Sequence, residues 1–131
     1  MNSSVKRFNT EKGPKAIGPY STASIYGGII YLSGQIGLDP ETGDLVGDDV
    51  ESQTKRVMEN IKIILGELNR SFSDIIKCTV YLKSMGDFAI VNNIYGPYFP
   101  KNEYPTRVAI AVAELPKGSK VEIECLIAEG K

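Results

Sequence analysis

Hydrophobic and polar residues alternate with different periods along the chain, and these periods predict its elements. Two β-forming stretches, residues 20–26 and 29–33, flank Gly27-Gly28, a pair able to take positive φ, which predicts a β-hairpin. From about residue 49 apolar residues recur at spacings of three, four and seven, which predicts an amphipathic helix. The apolar face of this helix consists of Val50, Val57, Ile61, Ile64, Leu65 and Leu68. Asp48, three residues before Glu51, resembles a capping box at its start.

The second half of the chain begins with a change to period two. Ile76, Cys78, Val80 and Leu82 share one side, which predicts a half-buried strand. Ser84 is a candidate cap for a second helix, which Pro100 ends. Its predicted shared face consists of Phe88, Val91, Tyr95 and Phe99. Two further strands, residues 106–113 and 120–128, are joined by turn-forming residues, so we expect them to pair antiparallel.

This order of hairpin, helix, strand, helix, strand and strand predicts an α+β fold. The economical arrangement is one mixed β-sheet with two helices on one face. A chain of 131 residues forms one domain and has no material for a third layer, so the other sheet face is expected to meet another subunit.

Composition and charge limit the partners and the kinds of catalysis that this chain can support. Fifteen Lys and Arg against sixteen Asp and Glu give a net charge of −1, which disfavours nucleic acid as a partner. The chain has no His, the most common acid–base group near neutral pH and the most common zinc ligand. Its two cysteines, Cys78 and Cys125, show no C-x-x-C spacing, so we predict no metal site and buried core thiols in a cytoplasmic protein. No apolar run is long enough to span a membrane.

Arg107 is the most informative charged residue. On its strand it shares one side with Ala109, Ala111 and Ala113, a pattern that fits either a structural ion pair or an anion pocket beside a guanidinium. If the last two strands pair symmetrically, Arg107 and Glu122 share a sheet face at a separation of roughly 13 Å. Glu124 is then a nearer partner for Arg107, and Glu122 has the alternative of a surface ion pair with Lys120.

Two glycine-containing segments flank the predicted hairpin. Gly18-Pro19-Tyr20-Ser21 precedes it, and Ser33-Gly34-Gln35 ends it. Glycine lets backbone amides approach a bound group closely, although ordinary turn geometry explains the same residues. Neither segment matches a phosphate-binding loop, so nucleotide binding has no motif support.

Together these motifs resemble the reactive intermediate deaminases, the RidA or YjgF family. The resemblance covers nearly the whole chain. It rests on the two segments above, Gly43, Pro105-Thr106-Arg107, Leu115-Pro116-Lys117 and Val121-Glu122-Ile123-Glu124. It implies a chorismate-mutase-like α+β subunit and a homotrimer with ligand clefts between subunits.

The resemblance also implies an activity and a set of site residues. The activity is that of a 2-iminobutanoate/2-iminopropanoate deaminase, a hydrolase that converts reactive enamines and imines into 2-keto acids and ammonia without a cofactor. It implies that Arg107 clamps the substrate carboxylate and that Glu122 positions or polarises the attacking water. Tyr20, Asn92 and the backbone of Gly34 then line the substrate-binding cleft.

Two alternatives remain open at this point. The family has also been described as endoribonucleases and translation inhibitors, and the same cleft is able to bind a small carboxylate without turnover. Many members carry Cys two residues after the arginine where this chain has Ala109, so a thiol mechanism at that position is excluded.

Overall fold

A computed structural model describes residues 4–130, which form six strands and two α-helices. Residues 1–3, part of the charged N-terminal segment, and residue 131 lie outside this range. The strands are β1 (Lys6–Phe8), β2 (Ala23–Tyr26), β3 (Ile29–Gln35), β4 (Ile75–Leu82), β5 (Thr106–Ala111) and β6 (Val121–Ala128). The helices are α1 (Val50–Glu67) and α2 (Phe88–Tyr95). Short 3-10 turns occupy Phe72–Asp74, Met85–Asp87, Gly96–Tyr98 and Pro116–Gly118.

The six strands form one mixed sheet in the order β1-β2-β3-β6-β4-β5. All neighbours are antiparallel except β4 and β5, which are parallel. The predicted hairpin is β2–β3, and its turn uses Gly27 at φ 61° and Gly28 at φ 82°, a region that side chains disfavour. β1 was not predicted, because three residues are too few to show a period.

Both helices pack on one face of the sheet, as predicted. β6 shows the alternation most clearly, because its odd-numbered residues are buried and its even-numbered residues point to the other face. The helix-side core contains Val57, Ile61, Ile64 and Leu65 of α1, Val91 and Tyr95 of α2, and Val80, Leu82, Ile123 and Ile127 of the sheet. The α+β fold with two helices on one sheet face is therefore confirmed.

The start of α1 differs by one residue from the prediction. Asp49, not Asp48, is the N-cap, and its Oδ2 accepts a hydrogen bond from the Ser52 backbone N–H at 2.8 Å. This bond to the Ser52 backbone lowers the pKa of Asp49. Asp49 is favoured because it directly precedes the first helical residue, where a carboxylate reaches the free amides of the first turn.

The expected pairing of the last two strands is wrong. β6 lies between β3 and β4, whereas β5 pairs with the other edge of β4. The chain from β4 to β5 contains α2, and a crossover of this kind returns the chain parallel to the strand it left. Arg107 therefore lies opposite Cys78 in the sheet and not opposite Leu126.

Ile76 also departs from its predicted position. A register irregularity between Ile75 and Lys77 places Ile75 in the core and leaves Ile76 43% exposed. The extra residue shifts the alternation by one at the start of β4. Cys78 and the rest of the predicted apolar row are buried as expected.

The sheet face opposite the helices carries polar and partly exposed side chains. Tyr31, Tyr81, Glu122, Glu124, Val108 and Ile110 lie on it. Within the described residues neither helix has the length and apolarity needed to cross a membrane.

Candidate functional site

Tyr20, Gly34 and Glu122 line a cavity of about 320 Å³, called here the Glu122 cavity. Its wall also includes residues 14–17 from the segment before β2, Ser33, Gln35, Ile36 and Pro116. Three of the five predicted site residues thus share one site.

Gly34 and Glu122 are in direct contact across β3 and β6. The strands lose regular register between Leu32 and Gln35, which places Gly34 against the Glu122 side chain. A Cβ at Gly34 would lie 2.0 Å from Glu122 Oε2, well inside the contact distance of two non-bonded atoms. Glycine is therefore required here for the carboxylate to occupy its position.

Burial controls the charge of Glu122. The side chain is half-buried, and this desolvation, followed by repulsion from Glu124, raises the pKa of Glu122. Glu124 is itself held by Tyr81, whose hydroxyl donates to its Oε1 at 2.5 Å. This hydrogen bond to a carboxylate raises the pKa of Tyr81 to about 12, so Tyr81 stays protonated and acts as a donor.

Tyr20 stands at the exposed rim of the cavity. Its side chain is 50% exposed, and its hydroxyl accepts a long hydrogen bond of 3.4 Å from the Ile17 backbone N–H. Nearby, the Ser33 hydroxyl donates to the Ser21 carbonyl at 2.7 Å and ties this segment to β3. The ring thus lies at the open mouth of the cavity, and Ile17, which sequence reasoning missed, forms part of the same wall.

Arg107 and Asn92 form a second site, an open cleft of about 480 Å³ called here the Arg107 cleft. Arg107 Nη1 donates to Asn92 Oδ1 at 2.6 Å. The cleft is lined by Asn92, Tyr95, Gly96, Tyr104, Pro105 and Arg107. The guanidinium is solvent-exposed, and no carboxylate within residues 4–130 lies at ion-pair distance from it. Of the two alternatives for Arg107, the intrachain ion pair is therefore not formed.

Two aromatic rings also contact Arg107. Its guanidinium carbon lies over the ring of Phe88 at 5.2 Å and over the ring of Tyr95 at 5.1 Å. Sequence reasoning placed both rings on the buried face of α2 and missed their contact with Arg107. The sequence does hold a signal for this contact, because Phe88, Asn92 and Tyr95 stand at positions i, i+4 and i+7 and therefore share one face of a helix.

The expectation that Arg107 and Glu122 share a sheet face is wrong. Arg107 lies beside Cys78 on the helix-covered face, whereas Glu122 lies beside Tyr81 on the opposite face. The reason is the position of β5 next to β4, which sets the side of the sheet that each β5 residue faces. One chain thus contains two separate groups of predicted site residues and does not bring them together.

The two cysteines lie opposite each other on β4 and β6, with a Sγ–Sγ distance of 3.5 Å. Both are free and buried, as predicted for core thiols. The contact with Cys78, together with burial, raises the pKa of Cys125, which keeps this thiol protonated. Within residues 4–130 no group of three or more potential metal-ligating side chains is placed to hold a metal ion.

Comparison with known proteins identifies the family. The model of the family described as Endoribonuclease L-PSP matches residues 10–129. The chain belongs to this family. It is the family that also contains the RidA and YjgF proteins, so the resemblance seen in the motifs is confirmed.

Relatives in this family have different names. The chain is 51% identical to a RutC family protein of Pyrococcus abyssi, with 89% of this chain and 91% of the relative covered. It is 44% identical to the human 2-iminobutanoate/2-iminopropanoate deaminase, with 99% and 95% covered. The solved structure of Escherichia coli TdcF with bound serine matches with a TM-score of 0.86 and 39% identity over 94% of this chain and 98% of that one. This match to a solved structure of the family confirms the chorismate-mutase-like α+β fold.

Proposed function

We propose that this chain is an imine deaminase that hydrolyses small 2-imino acids and their enamine tautomers to 2-keto acids and ammonia. The observation that carries the proposal is the state of Arg107. Its guanidinium is exposed in a cleft and held by an amide oxygen and two rings, and no carboxylate of the described residues neutralises it. A planar guanidinium in this state matches a substrate carboxylate with two parallel hydrogen bonds.

Glu122 supports the hydrolytic half of the reaction. Its carboxylate accepts a proton from a water molecule as the water oxygen bonds to the C=N carbon and the π electrons move to nitrogen. The protonated carboxyl then gives this proton to the nitrogen, which leaves a neutral carbinolamine. The same carboxylate next accepts the hydroxyl proton and passes it to the amine, so that the C–N bond breaks and ammonia leaves as the C=O bond forms. Because an imine carbon is already electrophilic, orientation of water and one general base are sufficient, and neither His nor a nucleophilic side chain is needed.

The separation of the two sites supports an assembly with shared clefts. Since Arg107 and Glu122 lie on opposite faces of the sheet, we infer that the Arg107 cleft of one copy meets the Glu122 cavity of a neighbouring copy. The proposed assembly is a homotrimer, as the resemblance implies. Val108 and Ile110 are 42% and 43% exposed on the uncovered sheet face, which leaves apolar surface for this contact.

The names of relatives support the same substrate class. The human relative is named for deamination of 2-iminobutanoate and 2-iminopropanoate, and the solved Escherichia coli relative contains serine, a small molecule with a carboxylate. The family description as endoribonuclease supports a second candidate. That candidate has less physical support in this chain, because it has no His and carries a net charge of −1.

The decisive experiment couples the purified protein to a serine or threonine dehydratase and follows 2-keto acid release. We expect the wild-type chain to accelerate release over spontaneous hydrolysis. Loss of a charge-assisted contact of about 1.5–3 kcal/mol makes Arg107→Ala roughly tenfold to a hundredfold less efficient. Arg107→Lys is expected to be impaired as well, because an ammonium lacks the paired donors.

Two outcomes would contradict the proposal. If the wild-type chain gives no increase in rate but cleaves RNA with strong salt dependence, and Arg107→Ala cleaves equally well, the ribonuclease candidate replaces it. If it binds 2-keto acids without any increase in rate, the site is a carboxylate-binding module.

The pKa of Glu122 predicts the pH dependence of the reaction. The carboxylate is the active form and its pKa is raised, so kcat/KM should fall as the pH drops through a value above the ordinary carboxyl range. Glu124→Gln removes the neighbouring charge and should move this acid limb to lower pH. Glu51→Gln, a matched change on the exposed start of α1, should leave the profile unchanged. An acid limb that does not move in Glu124→Gln contradicts this assignment.

A further inference from the structure

Arg107 is held by side chains that come from a single face of α2. Phe88, Asn92 and Tyr95 occupy positions i, i+4 and i+7 of this helix and all three reach the guanidinium. The amide oxygen of Asn92 takes one donor at Nη1, and the two rings lie beneath the guanidinium carbon within the range of cation–π contacts. α2 therefore forms a cradle for the cation of β5.

The cradle holds the positive charge without cancelling it. Each of the three side chains is neutral, and the described residues place no carboxylate at ion-pair distance from Arg107. A ring face attracts a cation through its quadrupole and offers no competing hydrogen-bond acceptor of comparable strength. The N–H groups that Asn92 does not use thus stay available to an anion.

The cradle is also rigid on one side. Tyr95 is 4% exposed and packs against Phe99, with ring centroids 4.8 Å apart. Its hydroxyl is buried without a hydrogen bond of normal geometry and sits beside the Cys78 thiol, and burial raises the pKa of Tyr95. The hydroxyl end of Tyr95 therefore points into the core, and the part of this residue that contacts Arg107 is its ring.

We propose that Phe88 and Tyr95 are positioning residues that hold the Arg107 guanidinium in the orientation that binds a substrate carboxylate. This inference rests on the proposed function, because it assigns Arg107 to carboxylate binding. In this proposal the two rings set the orientation of the guanidinium, and the Tyr95 hydroxyl does not. The proposal also gives Asn92 an indirect role, as a hydrogen-bond acceptor for Arg107.

The test measures the binding of pyruvate and of its neutral analogue pyruvamide by calorimetry, together with KM and kcat in the coupled assay. Cation–π contacts of about 0.5–2 kcal/mol predict that Tyr95→Leu and Phe88→Leu each weaken pyruvate binding by about 2- to 30-fold. KM for the imine should rise by a similar factor while kcat changes little. Tyr95→Phe, which keeps the ring, should recover most of the affinity.

The control variant is Ile90→Leu, which alters an exposed position of the same helix and should leave both constants unchanged. A purely structural role of the rings would weaken the binding of pyruvate and of pyruvamide by the same factor. The proposal predicts instead that the leucine variants prefer pyruvate over pyruvamide less strongly than the wild type does. Equal loss for both ligands, or loss in Tyr95→Phe as large as in Tyr95→Leu, overturns the proposal.

The same measurements separate this proposal from the proposed reaction. If the wild-type chain binds pyruvate and the leucine variants bind it more weakly, but no imine hydrolysis occurs, the cradle stands and the reaction is wrong. If wild type hydrolyses imines and the leucine variants bind pyruvate as well as wild type does, only the cradle is wrong. Failure of the wild-type chain to bind pyruvate overturns the cradle, and failure to accelerate imine hydrolysis as well overturns both.

Discussion

Replacement of Gly34 by Ala is expected to lower kcat for imine hydrolysis by about a hundredfold or more, the usual contribution of a positioned general base. The reason is steric, because a Cβ at this position would lie 2.0 Å from Glu122 Oε2 and 2.8 Å from Cδ. The carboxylate must move to relieve this contact, and in the proposed reaction it then no longer holds the water at the imine carbon. The coupled assay measures the effect, with thermal unfolding recorded beside it.

A matched glycine provides the control for this prediction. Gly66 lies on the exposed side of α1, and a Cβ there would meet nothing within 4 Å. Gly66→Ala should retain activity and raise stability by up to about 1 kcal/mol, since alanine is the better helix former. Full activity in Gly34→Ala would show that the position of Glu122 does not matter for the reaction.

Co-expression of two impaired variants is expected to restore part of the activity. Arg107→Ala keeps an intact Glu122 cavity, and Glu122→Gln keeps an intact Arg107 cleft. If each site combines the Arg107 cleft of one copy with the Glu122 cavity of the next, random mixing makes about a quarter of the sites intact. The unfractionated mixture should therefore show about a quarter of the wild-type rate, and purified mixed trimers about a third, whereas either variant alone keeps about a tenth of it or less.

Two affinity tags, one on each variant, allow purification of the mixed assembly before the assay. In the control, both tagged chains carry Arg107→Ala, and the purified assembly should keep the low rate of that single variant. Because burial penalises the charged form of Glu122, Glu122→Gln should fold with unchanged or higher stability at neutral pH, which separates lost chemistry from lost structure. A purified mixed assembly that is no more active than the single variants would show that the sites are not shared. If the sites are shared as proposed, sedimentation should find three subunits.

Local patterns were enough to predict most of the elements of this fold. The Gly27-Gly28 hairpin and the apolar face of α1 follow from residues within one turn or one helix, where geometry fixes which positions share a side. The α+β class follows from the order of these elements. The strand β1 and the irregular start of β4 were not predicted, because a three-residue strand and a one-residue shift leave almost no periodic signal.

The sequence selected candidate site residues by motif but could not predict their arrangement. Sequence motifs selected Tyr20, Gly34, Asn92, Arg107 and Glu122, and the structure places each of them in a cavity or cleft. The contact between Gly34 and Glu122, and the two rings under Arg107, connect residues far apart in the chain. No local period reports such contacts.

The sequence by itself determined the hairpin, both helices and the family, and it left open whether Arg107 forms an ion pair. Only the tertiary structure decided that β5 pairs with β4 and that Arg107 and Glu122 therefore face opposite sides of the sheet. The physical reason is that strand pairing depends on packing and on crossover geometry over the whole chain, which no local pattern contains. The alternation within a strand shows which residues share a side but not which side that is.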